Sequence, residues 1–134
     1  NPPSTNLKAF FSRGGKLLLY HGWSDQQVAP LNSITYFDEV LKASGKSAAG
    51  KSIAQYLVPG MGHCQGGPGT DSFDKVAAAE EWVRTGNAPA QIMASHRTSG
   101  TTDRTRPLCQ YPLVAKYKGS GNTDDASSFA CAAR

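Results

Sequence analysis

The chain is 134 residues long, enough for one domain of ordinary size and not for two. Counting glycine, about half the residues are apolar, which excludes disorder as a whole-chain description, and no apolar run approaches the roughly 18–20 residues of a membrane span. Fourteen Lys and Arg against ten Asp and Glu leave a net charge of +4, but the basic residues are scattered, with Arg104 and Arg106 the one close arginine pair. Phosphate tracking needs a clustered patch, so the surface reads as mildly basic and solvated, with no nucleic acid and no membrane as partner.

Residues 1–13 form a Pro, Ser and Asn lead-in with a short apolar patch at Ala9-Phe10-Phe11. The start, Asn1-Pro2-Pro3-Ser4, has neither an initiator Met nor a basic-then-apolar signal pattern and is read as a cut end. After Gly14-Gly15, the run from Lys16 to His21 is nearly continuous in apolar residues and predicts a strand buried on both faces. Gly22-Trp23-Ser24-Asp25 ends it. From Leu31 to Ala43, the residues Ile34, Phe37, Val40 and Leu41 recur at helical spacing, with Gly45 as the stop. The pattern then repeats. Residues 53–58 predict a second strand, Pro59-Gly60-Met61-Gly62 breaks it, and a glycine-rich loop runs to Gly69. A helix follows from Phe73 to about Thr85, capped by Asp71 or Ser72 and stopped by Gly86, with Val76, Ala79 and Val83 on one face and Trp82 core or partly buried by default. Strands alternating with helices imply parallel pairing, hence an α/β sheet over residues 16–86. One more short strand is expected from Gln91 to Ser95. Beyond it, Thr98–Arg106 and Gly119–Ser128 are polar, and the last third reads as an irregular, crosslinked flap.

Cys109 and Cys131 lie in that Gly-, Pro- and Ser-rich third. A disulfide closing a loop of about 20 residues would contribute roughly 3 kcal/mol in the chain-entropy model, and this favours an exported protein. Cys64 is then the odd cysteine, and in an exported protein it asks for a partner outside the visible chain.

In an open parallel sheet, ligands bind at the carboxyl ends of the strands. Asp25 follows the first strand and His63 the second, so two loops on one sheet edge carry a carboxylate and an imidazole. A charge-relay pair needs that arrangement: the carboxylate fixes the imidazole tautomer, and the other ring nitrogen takes a proton from a nucleophile. The bland alternatives are a capping Asp and a turn His. No Gly-x-Ser-x-Gly elbow occurs, and neither Ser24 nor Ser12 has a nucleophile's context, so a serine would lie before residue 1. His21, at a strand end, reads as a packed, hydrogen-bonded histidine. A zinc site on His21, His63 and Cys64 lacks the usual ligand spacing. Trp23, beside Asp25, is the candidate pocket residue.

Three stretches then resemble one family. They are Gly14-Gly15-Lys16-Leu17-Leu18-Leu19-Tyr20-His21-Gly22-Trp23-Ser24-Asp25, Val58-Pro59-Gly60-Met61-Gly62-His63-Cys64-Gln65-Gly66-Gly67-Pro68-Gly69, and Arg104-Thr105-Arg106-Pro107-Leu108-Cys109-Gln110-Tyr111-Pro112. Together with Tyr117 to Gly121 and Cys131, they are similar to the C-terminal portion of the tannase and feruloyl esterase family. The resemblance implies that residues 1–134 are the C-terminal part of one α/β-hydrolase catalytic domain, with the nucleophile half and the lid upstream. It also implies a secreted or periplasmic serine esterase acting on small aromatic-acid esters, with no organic cofactor. In it Asp25 would be the triad acid, His63 the general base, and Cys64 the disulfide partner of an upstream Cys beside the nucleophile. Cys109–Cys131 would be the family's C-terminal disulfide. The calcium that many members carry belongs to the lid, so no cofactor is expected in this chain. The missing N-terminal part of the same enzyme is then the expected partner, and the chain alone is expected to be inactive. A stand-alone aromatic-ligand binding module and a small metal-dependent hydrolase are the other function classes the residues leave open.

Overall fold

A computed structural model describes residues 3–134; Asn1 and Pro2, half of the expected cut end, lie outside the described residues. The two apolar segments pair in parallel, in the register Leu17↔Ile53 through Gly22↔Val58, as the repeated strand–loop–helix pattern requires. They are β1 (Leu17–Gly22) and β2 (Ile53–Val58). A short α1 (Lys8–Ser12) precedes β1, and α2 (Pro30–Ser44) and α3 (Lys46–Ala49) connect the strands. Pro30 starts α2 where a missing N–H costs nothing, and Gly45 at φ 86° ends it.

Successive side chains of a strand point to opposite faces, and β2 divides the core accordingly. Ala54, Tyr56 and Val58 pack with Met61, Trp82, Ile92, Ala94 and Leu108 on one side. Ile53 packs with Phe11, Phe37, Val40 and Ala49 on the other. Trp82 lies on α4 (Lys75–Thr85) and is fully buried. Tyr56 donates its hydroxyl to the Pro89 carbonyl at 2.6 Å, and desolvation pushes its pKa up to about 12.

Several expectations are corrected. Strand β1 is only half-buried along most of its length, because among the described residues it pairs with β2 alone. Helix α4 begins two residues later than expected, capped by Asp74, whose side chain accepts the Ala77 N–H at 2.8 Å. Asp71 instead accepts the Gly66 N–H, and Ser72 bridges to Ser95. The buried face of α4 carries Ala78 and Trp82, while Val76 and Val83 are exposed. The large indole, not the count of valines, sets which face turns inward.

The last third is not an irregular flap. Strand β3 (Gln91–Thr98) runs three residues beyond the expected Gln91–Ser95 and pairs antiparallel with β4 (Thr101–Cys109), which covers most of the polar Thr98–Arg106 stretch. Ser99 and Gly100 form the two-residue connection, both at positive φ (49° and 81°), the geometry of a type I′ hairpin turn. The hairpin's far end is exposed, so it carries no apolar alternation to betray it. Strand β5 (Val114–Tyr117) pairs with β6 (Phe129–Ala132), and the Cys109–Cys131 disulfide ties β6 to the end of β4. Gln110 bridges to Tyr56, and Tyr111 N–H donates to the Gln55 carbonyl at 2.7 Å, which seats this C-terminal unit against β2.

Candidate active site

The loops that leave β1 and β2 are joined by their backbones. Trp23 N–H donates to the Val58 carbonyl at 2.9 Å, and Ser24 N–H donates to the Met61 carbonyl at 3.0 Å. Such an approach needs Gly22 without a Cβ, since an added methyl would overlap the Met61 and Gly62 carbonyls. Met61, fully buried, anchors the second loop. A backbone bond from Gly62 N–H to the Gly66 carbonyl (2.9 Å) and the left-handed Gly66 and Gly67 fold it back. Asp25 and His63 are thereby brought together.

His63 Nδ1 lies 2.9 Å from Asp25 Oδ2. An ionised carboxylate only accepts, so Nδ1 carries a proton, and in the neutral ring Nε2 keeps its lone pair. The Asp25 side chain is 3% exposed and that of His63 42%. Asp25 Oδ1 accepts the backbone N–H groups of Val28 (3.0 Å) and Gln27 (2.8 Å). The Val28 N–H is the largest influence on Asp25; with Gln27 and His63 it outweighs burial and holds the carboxyl well below the usual carboxylate range. One oxygen of Asp25 thus caps a turn while the other faces an imidazole.

A third partner was not foreseen in this role. His21 Nε2 lies 3.0 Å from the same Asp25 Oδ2 and 3.2 Å from the Val28 carbonyl, and its Nδ1 meets Ser33 Oγ on α2. His21 is the packed, hydrogen-bonded histidine expected, but its partner is the carboxylate itself. Only its placement four residues before Asp25, across a strand end, could have hinted at this, and nothing in the sequence marks Ser33.

The other sequence-derived residues fall as follows. Cys64 is exposed and unpaired among the described residues, with φ 65°. Cys109 and Cys131 are bonded, with Cα atoms 5.6 Å apart. Ser12 Oγ donates to the Ala9 carbonyl within α1. Trp23 lines a mostly apolar cavity of about 420 Å³, together with Leu57, Pro59, Pro68 and Tyr111, but Asp25 and His63 are not in its wall. Among the described residues no group of three or more His, Cys, Asp or Glu could hold a metal ion, so His21, His63 and Cys64 do not form a ligand set.

The family described as "Tannase and feruloyl esterase" matches residues 2–132. The chain belongs to that family. It is 50% identical over 133 residues to the mono(2-hydroxyethyl) terephthalate hydrolase of Piscinibacter sakaiensis, covering 97% of this chain and 22% of that protein. It is 39% identical to a probable feruloyl esterase of Arthroderma benhamiae, covering 95% and 24%. The crystal structure of an esterase from Aspergillus oryzae superposes with a TM-score of 0.84 at 28% identity, over 96% of this chain and 29% of that one. The chain thus spans about a quarter of the length of the relatives it matches.

Proposed function

We propose that this chain is the C-terminal part of the α/β-hydrolase domain of a serine carboxylesterase, supplying the acid and the base of a Ser-His-Asp triad whose serine lies upstream. The observation that carries the reading is the 2.9 Å contact from His63 Nδ1 to the buried Asp25 carboxylate, which leaves Nε2 as the free basic nitrogen. In the complete enzyme His63 Nε2 takes the serine hydroxyl proton as the serine oxygen attacks the ester carbonyl carbon. The imidazolium, stabilised by Asp25, gives that proton to the departing alcohol oxygen, and an acyl-enzyme remains. Water enters, His63 removes its proton, the hydroxide oxygen attacks the acyl carbon, and the proton returns to the serine as the acid leaves. No organic cofactor takes part.

The names of the relatives support an ester of an aromatic acid as substrate. Cys64 adjoins the base on an exposed loop, which fits a disulfide to an upstream cysteine. The formed Cys109–Cys131 bond fits a secreted or periplasmic protein.

The test is an aryl-ester assay on the full-length enzyme that contains this segment. His63→Ala is expected to lower kcat by about 10⁴-fold or more. A folded variant retaining a tenth of the parent rate would remove His63 from the chemistry. A non-reducing peptide map should join the Cys64 peptide to one from the upstream part. This chain alone should be silent; turnover by it would place the nucleophile within these residues.

A further inference from the structure

Asp25 is held by more than a turn. Its Oδ2 faces two imidazoles at once, His63 Nδ1 at 2.9 Å and His21 Nε2 at 3.0 Å. Its Oδ1 faces two backbone N–H groups. The four donors hold the plane and position of the carboxylate. His63, by contrast, is nearly half exposed, and among the described residues Asp25 is the one hydrogen-bond partner of its side chain. Whatever fixes Asp25 therefore aims His63.

The tautomer of His21 follows from its neighbours. Nε2 faces two acceptors, the Asp25 carboxylate and the Val28 carbonyl, so it carries the proton. Nδ1 then holds a lone pair, and Ser33 Oγ, a hydroxyl that can donate, meets it. The opposite tautomer would set a lone pair against a carboxylate and a carbonyl, with no donor between them. His21 is largely buried, its side chain 11% exposed, so water is poorly placed to substitute.

We propose that His21, with its tautomer set by Ser33, is a positioning residue for catalysis: it donates to Asp25 Oδ2 and locks the carboxylate that orients His63. The chain Ser33–His21–Asp25–His63 then runs from the first turn of α2 to the general base, and His21 touches no reacting atom. The inference rests on the proposed triad reading.

The experiment uses the full-length esterase and an aryl-ester substrate. His21→Leu removes the donor and keeps an apolar side chain; His21→Gln can return an amide N–H near the place of Nε2. Loss of a hydrogen bond to a charged group predicts a fall in kcat of about 10–100-fold for His21→Leu, with KM little changed, because the substrate never touches His21. His21→Gln should recover most of that loss. A packing role alone would lower the melting temperature without this split and without rescue. Ser33→Ala, a milder change in the first turn of a helix, covers the case in which His21→Leu does not fold: kcat should fall about 3–10-fold at constant KM, the weaker loss expected when a neutral donor is removed. The inference is overturned if folded His21→Leu keeps kcat within twofold of the parent, if His21→Gln is as slow as His21→Leu, or if Ser33→Ala is unchanged when it alone folds. His63→Ala, run in parallel, separates the two levels. If it stays active, the triad reading fails; if it is inactive while His21→Leu and Ser33→Ala turn over normally, the positioning role alone fails.

Discussion

Replacing Asp25 by Asn tests the site with almost no change in shape. The carboxylate receives four donors, two on each oxygen. An amide offers one oxygen and one NH₂. With its oxygen toward Gln27 and Val28, the NH₂ faces His21 and His63, and each ring must turn an acceptor nitrogen inward. His63 then accepts at Nδ1 and carries its proton on Nε2, so no lone pair is left to take a proton from a serine. The flipped amide sets NH₂ against two backbone N–H groups and strands donors that cost about 1–3 kcal/mol each if they stay unpaired, so the first orientation wins. The same tautomer error in a serine-protease triad costs roughly 10⁴ in kcat, equivalent to about 5.4 kcal/mol of transition-state stabilisation. Steady-state hydrolysis of an aryl ester by full-length Asp25→Asn should show that fall in kcat with KM nearly constant. Circular dichroism and a thermal melt would establish folding. A folded Asp25→Asn enzyme with kcat within tenfold of the parent would refute the reasoning.

The fold makes further commitments. Breaking Cys109–Cys131, which closes a separation of 22 residues, should lower stability by about 3 kcal/mol, read as an earlier urea midpoint for the Cys109→Ser, Cys131→Ser double variant; an unmoved midpoint would contradict it. Trp82→Ala, emptying a fully buried site on α4, should cost about 3–5 kcal/mol by the same measurement, and a loss under 1 kcal/mol would mean the indole is not at the centre of the core. Gln55 is wholly buried and neither amide atom is hydrogen-bonded among the described residues, so Gln55→Met should be neutral or stabilising by up to about 1–2 kcal/mol; a large loss would reveal a partner for the amide. Asp25 has a folded pKa depressed below its unfolded value, so its contribution to stability is complete above about pH 4 and is lost as the pH falls toward the folded value. Acid melts from pH 6 to pH 2 should therefore steepen below pH 4, and Asp25→Asn should flatten that limb.

How much of this was legible depends on which force shaped each segment. Both parallel strands, the helix between them and its glycine stop were readable because burial imposes a period on the sequence: apolar runs in β1 and β2, and Phe37 and Val40 at helical spacing in α2. The β3–β4 hairpin obeys a different rule. Its outer end is exposed, so Thr101 to Asp103 display β-branched and charged residues with no inward face, and the informative mark was the Ser99-Gly100 dipeptide between threonines. The face of α4 misled for a related reason. Val76, Ala79 and Val83 share a stripe, but one indole removes more apolar surface from water than either valine, and Trp82 with Ala78 turned inward.

The site divides along the same line. Asp25 and His63 could be paired from sequence because topology alone brings the loops after two adjacent parallel strands to one edge. What topology does not give is which atoms meet, and that is set by the short backbone bonds between the loops at Trp23, Ser24 and Met61. These bonds make the geometry of Asp25 a property of both strands together. A side chain at Gly22 would push Met61 and Gly62 away and move His63 with them, though neither member of the pair had changed. The partner of His21 stays only a hint in the sequence for the same reason: in an extended strand a residue four positions before a loop carboxylate has no fixed relation to it. Only the turn capped by Asp25 Oδ1 folds the chain back far enough for Oδ2 to face the strand it has just left.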